Sequence, residues 1–118
     1  MARHDPTNSE YRKLLRSLPR DSHRTSVIRA RTRLGRTAGE AVQRFRLEPA
    51  EQLITNLRLL VQDAGRKKPI IDRSFWRRLD KLRLVGNRAF YNEAQWTETS
   101  AEEYVEDVNL AIVHLNSI

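Results

Sequence analysis

The chain has 118 residues, of which 31% are charged and 39% hydrophobic, and a net charge of +7. That length and balance predict one globular domain over residues 1–118 with a single modest core, and they are those of a globular chain and not of a disordered one. Without cysteine there is neither a disulfide framework nor a thiolate metal site; no apolar run approaches the ~20 residues that span a bilayer, and MARHDPTNSE lacks the apolar stretch of a signal peptide, so a cytoplasmic protein without membrane contact is expected.

Charge is distributed unevenly. Residues 1–46 carry 12 basic and 4 acidic side chains, residues 47–91 carry 10 and 5, and residues 92–118 carry none and 6. Eighteen of the 22 basic residues are arginine, whose planar fork suits phosphate oxygens and base faces. A nucleic-acid partner follows from that bias; a GC-rich coding sequence is the other source of abundant arginine.

Thr7-x-x-Glu10 has capping-box spacing, and Tyr11, Leu14, Leu15 and Leu18 continue a short first helix up to Pro19. Residues 1–20 thus form an arm and helix, ahead of a four-helix bundle over 21–118. Asp21 or Ser22 caps the second helix, whose apolar face is Val27, Ile28, Leu34, Ala38, Ala41, Val42 and Phe45 and whose opposite face carries Arg24, Arg29, Arg31, Arg33, Arg36, Arg44 and Arg46. Gly35 and Gly39 predict a close crossing or a kink.

Glu48-Pro49 opens a third helix with a stripe from Ala50 through Leu53, Leu57 and Leu60 to Ala64, and Gly65 ends it as a C-cap. Arg66, Lys67 and Lys68 form a basic linker. Asp72 caps a fourth helix with Phe75, Leu79, Leu82, Gly86 and Phe90 inward and Arg73, Arg77, Arg78 and Lys81 mostly outward. NEAQWTET is then a loop, and Ser100-x-x-Glu103 opens the last helix, with Tyr104, Val105, Val108, Ala111, Ile112 and Leu115 inward. No period-2 alternation, Asn-Gly hairpin turn or long repeat occurs, so the expected fold is all-α: four main helices in a bundle plus the short N-terminal one.

The candidates for chemistry are few. His4, His23 and His114 have no partners at ligand spacing, so neither a metal nor a cofactor is expected. Arg83, Asn87 and Tyr91 lie four apart on one helical stripe beside Gly86, which has no side chain and lets another backbone or a phosphate approach. A phosphodiester fits a cation, an amide and a phenol so aligned. In the alternative reading Arg83 is a solvated flank, Asn87 nears the C-cap and Tyr91 closes the core. The nucleic-acid-facing set comprises Arg24, Arg29, Arg31, Arg33, Arg36, Arg66, Lys67, Lys68, Arg73, Arg77, Arg78 and Arg88.

The segment LRLVGNRAF followed by Tyr91 resembles the late-helix signature of HEPN domains whose motif runs Leu-Arg-x-x-Gly-Asn-x-Ala-x-His. Leu82, Arg83, Gly86, Asn87 and Ala89 match it, and the similarity extends over about residues 37–116. The resemblance implies a four-helix bundle that often dimerises around a cleft, and membership in a group with many metal-independent endoribonucleases of bacterial defence and toxin systems. It would give Arg83 and Asn87 the arginine and polar roles. Tyr91 stands where the family has its histidine, and a phenol with a pKa near ~10 is a poor base at neutral pH.

Three functions are therefore expected in turn. The first is a non-catalytic, RNA-binding HEPN-like module in a defence or ribonucleoprotein assembly. The second is an active endoribonuclease in which Arg83 and Asn87 work with Tyr91 or with a histidine from another subunit. The third is a small helical subunit of an RNA-guided CRISPR effector complex, its acidic C-terminal helix docking on a basic face of the next copy or packing within its own chain.

Overall fold

The computed structural model describes residues 4–62 and 68–118, which form five α-helices and no sheet. They are α1 (Asn8–Ser17), α2 (His23–Arg44), α3 (Leu53–Val61), α4 (Arg73–Phe90) and α5 (Glu98–Ser117). The fold is all-α, and no helix among the described residues is long and apolar enough to cross a membrane.

The long second helix is the central post and packs against each of the other four, most extensively along α5. Its fully buried Val27, Ile28, Ala30, Leu34, Ala38, Ala41 and Val42 meet Leu53, Leu57 and Leu60 of α3, Leu79 and Ala89 of α4, and Val108 and Leu115 of α5 in one core. Its two ends also fix the direction of its neighbours. Near its start, Arg24 Nε donates to the Ala89 carbonyl at 2.7 Å and Nη2 to that of Phe90 at 3.0 Å; at its end Arg44 Nη2 donates to the Leu115 carbonyl at 2.6 Å. Each guanidinium donates to carbonyls in the last turn of a helix, at the negative end of its dipole. Consequently α4 runs antiparallel to α2 and α5 parallel to it.

The caps refine the sequence-based boundaries. Thr7 and Glu10 form the expected capping box, Ser22 rather than Asp21 caps α2, and Asp72 caps α4 through its bond to Phe75 N. The third helix is shorter than its apolar stripe: residues 47–52 are not helical and the helix starts at Leu53, because the Asn56 side chain bonds both backbone groups of Ala50 and holds that segment as a loop. Gly65, expected as its C-cap, lies outside the described residues. The last helix starts earlier than Ser100-x-x-Glu103 predicts, since Thr97 and Ser100 form the reciprocal box.

Two helices end in the left-handed conformation without glycine. Arg46 has φ 60° and Asn92 φ 56°, and the next amides, Leu47 and Glu93, reach back to the carbonyls of Val42 and Arg88 at 3.2 and 2.8 Å. These are the six-to-one bonds of Schellman endings.

Candidate functional site

The stripe on α4 does not face solvent. The N-terminal arm crosses it, held by Asn8 N donating to the Glu51 carbonyl at 2.8 Å and by Gln52 Nε2 donating to the Asp5 carbonyl at 2.8 Å. This lays Asp5, which is 7% exposed, between α2, α3 and α4. Its Oδ1 accepts from Asn87 Nδ2 at 2.7 Å, Arg83 Nη1 at 3.1 Å and Arg31 Nη2 at 3.4 Å, while Oδ2 accepts the Ile54 backbone N–H at 3.0 Å. Burial by itself would raise the Asp5 pKa; the bonds from Asn87 and Ile54 and the charges of Arg31 and Arg83 outweigh it, and the carboxyl is held below its ordinary value.

Asn87 is the hub. Its Oδ1 accepts from the Tyr11 hydroxyl and from Arg31 Nη2 at 3.1 Å, while its Nδ2 faces the Asp5 carboxylate. Only that orientation of the amide matches every neighbour. Arg83, whose side chain is 12% exposed, also binds Asp80 through Nε at 2.7 Å. Burial pushes the Tyr11 phenol well above its ordinary pKa, so it remains a donor.

Arg31 corrects the sequence reading most sharply. Expected on the outward basic face, it has no exposed surface, and its guanidinium carbon lies 4.4 Å from the centre of the Tyr11 ring. Its Nε and Nη1 have no acceptor within reach, so the carboxylate on Nη2 and the aromatic face are what offset its desolvation. The same side chain explains Gly86. A Cβ there would sit 2.6 Å from Arg31 Cγ and Cδ and 2.6 Å from the Tyr104 hydroxyl, which donates to the Leu82 carbonyl. What comes close to Gly86 in this chain is a buried arginine and a tyrosine, rather than a phosphate or another backbone.

Tyr91 is a third point of attachment for the arm: its hydroxyl donates to the His4 carbonyl at 2.7 Å, with His4 Nδ1 at 3.4 Å. His4 also contacts Glu10 at 3.3 Å. The structure thus gathers Arg83, Asn87, Tyr91 and His4, but the first two hold a carboxylate of their own chain.

The remaining basic candidates divide by surroundings. Arg24 is committed to the end of α4. Arg29 and Arg33 line a groove between α2 and α5 with Glu98, Glu102 and Glu106, so acidic side chains of the same molecule stand across from them. Arg36 is exposed and lies 3.8 Å from Glu40. Arg66 and Lys67 fall outside the described residues, and Lys68 is exposed. Arg73, Arg77, Lys81 and Arg88 are all exposed and, at helical spacing, share the outer face of α4 around Leu84, which is 49% exposed. Arg78 lies to one side, its guanidinium 5.3 Å from the Phe75 ring centre.

Sequence reasoning missed Asp5, because nothing local distinguishes an Asp-Pro ahead of a capping box. It had a signal for Arg31, which lies three residues from both Ile28 and Leu34 and hence on the buried stripe. No group of three or more histidine or acidic side chains able to hold a metal occurs among the described residues. No protein-family model, curated protein or solved structure matches the chain.

Proposed function

We propose that this chain is a HEPN-like helical module that binds single-stranded nucleic acid, RNA in preference to DNA, without cleaving it, within a defence or ribonucleoprotein assembly. The observation that carries the reading is the outer face of α4, where Arg73, Arg77, Lys81 and Arg88 present four exposed cations along one side of an 18-residue helix. Arg73, Arg77 and Lys81 follow one another at about 6 Å along the axis and Arg88 lies about 10 Å beyond Lys81, spacings that let the cations meet phosphates of a flexible strand. Arginine adds forked donors and base stacking to the charge.

The engagement of the motif supports the absence of cleavage. Arg83 is paired with Asp5 and Asp80, so its charge is already compensated, and Asn87 is engaged by Tyr11, Arg31 and Asp5. A nuclease reading would require the arm to leave and a base to appear in place of Tyr91.

Fluorescence anisotropy with a labelled single-stranded RNA tests the binding. Reversing Arg77 and Lys81 to glutamate is expected to weaken binding at least about 10-fold, whereas Arg36→Glu, at an exposed position of α2, changes it little. Equal effects of both changes would count against an α4 interface. Incubation with RNA in a chelator should leave no 2′,3′-cyclic phosphate ends; cleavage abolished by Arg83→Ala would establish the endoribonuclease instead.

A further inference from the structure

The helices α4 and α5 border a cleft of about 430 Å³. Its floor is apolar, formed by Leu82 and Val85 of α4 and Ala111 of α5. One end is closed by a planar stack, the His114 imidazole lying 3.8 Å from the Phe75 ring at an interplanar angle of 15°. His114 is exposed and lines the cleft. At the other end stands Trp96, edge-on to Tyr104 at 6.0 Å. Glu103 and Asp107, one helical turn apart, bring two acceptor-only carboxylates to one wall, and Arg78 and Lys81 bring cations to the opposite rim.

We infer that this cleft receives one unpaired nucleobase of the strand bound along α4, with guanine the best fit. Each wall selects for part of that ligand. The volume suits a bicyclic base, and the flat imidazole and the indole supply stacking surfaces whose worth does not depend on sequence. The carboxylates supply selectivity. Guanine presents two adjacent N–H donors on its Watson–Crick edge to a two-oxygen acceptor, whereas uracil presents a single N–H between carbonyls that a carboxylate repels. Lys81 belongs both to the exposed stripe and to the cleft wall, so a strand following the stripe passes the cleft mouth.

The inference rests on the phosphate-binding role of α4, and the experiment separates the two. The chain has two tryptophans, so Trp76→Phe leaves Trp96 as the only indole reporter. Titration with the heptamer UUUGUUU should quench Trp96 and bind on the order of 10-fold tighter than UUUUUUU. Val85→Phe, which fills the cleft from a half-buried position of its floor, and the pair Glu103→Ala with Asp107→Ala, on an exposed helix face, should each abolish that ratio while UUUUUUU binding persists. A ratio near one, or one that survives both changes, overturns the base site and leaves phosphate binding standing. Free guanosine monophosphate binding as tightly as the heptamer would make the cleft a nucleotide site and overturn the strand-bound reading. Failure of both heptamers to bind at low salt would overturn the site together with the α4 interface.

Discussion

Asp5 and Arg31 form the centre of the molecule's polar chemistry, with exposures of 7% and 0%. A buried ion pair contributes little relative to an apolar pair of the same shape, but losing one partner strands the other in the core and costs about 3–5 kcal/mol. Asp5→Asn, which also sets an amide donor against Asn87 and Arg83, is therefore expected to lose that amount in a denaturant titration, and Asp5→Ala combined with Arg31→Met to lose less than the two single changes summed. The sign of the pH effect follows from the lowered Asp5 pKa: the stabilisation is complete above the ordinary aspartate range of about 4 and is lost as pH falls through the depressed folded value. Asp5→Asn should flatten that acid limb. Gly86 and Gly39 make an internal contrast. A methyl at Gly86 meets Arg31 and Tyr104 at 2.6 Å, so Gly86→Ala should destabilise by about 1–3 kcal/mol, whereas at Gly39 it meets Asn56 and Pro49 at 3.7 and 3.9 Å, ordinary contact distances, so Gly39→Ala should stabilise by about 0.5–1 kcal/mol. The glycine at 86 was legible as a site of close approach; that the approaching group is Arg31 was not, because the two lie 55 positions apart and arginine is ordinarily a surface residue.

At the scale of elements, local chemistry was legible wherever a short-range signal governs. Thr7 with Glu10, Ser22 and Asp72 cap the helices they precede in sequence, and the apolar stripes of α2 and α4 face the core as their period requires. The reading failed where a side chain competes for the backbone. Asn56 draws Ala50 into a loop despite Pro49 ahead of it, and Thr97 takes the cap that Ser100 with Glu103 would have formed. Thr97→Ala should therefore cost about 1 kcal/mol in thermal denaturation, while Glu103→Gln leaves stability unchanged. The two non-glycine left-handed endings give a prediction of opposite sign. Arg46→Gly relieves the positive φ at an exposed position and is expected to raise stability by up to about 1 kcal/mol.

For the whole molecule, the charge asymmetry of the sequence resolves largely within the chain. Because α5 runs parallel to α2, Glu98, Glu102 and Glu106 stand across a groove from Arg29 and Arg33, and Glu103 and Asp107 line the same cleft as Arg78 and Lys81 of α4. An acidic helix so placed has less charge to offer a neighbouring copy, and light scattering should give the same mass at low and high salt. The outward placement of Arg73, Arg77 and Lys81 was visible in the sequence from spacing, whereas Arg88 was not read as part of their face; the separation from the Arg83 motif was not legible, since it depends on the arm folding back across 82 positions of sequence to bring Asp5 to Asn87. The central claim is that α4 carries phosphate contacts through its exposed cations while the motif beside it is structural. The most direct test is the slope of log K against log salt for a single-stranded RNA, with wild type compared with a variant carrying alanine at Arg73, Arg77, Lys81 and Arg88. The slope should flatten by about 3, the value for four released counterions on a single strand, with the fold unchanged by circular dichroism. An identical slope in the two proteins would contradict the account.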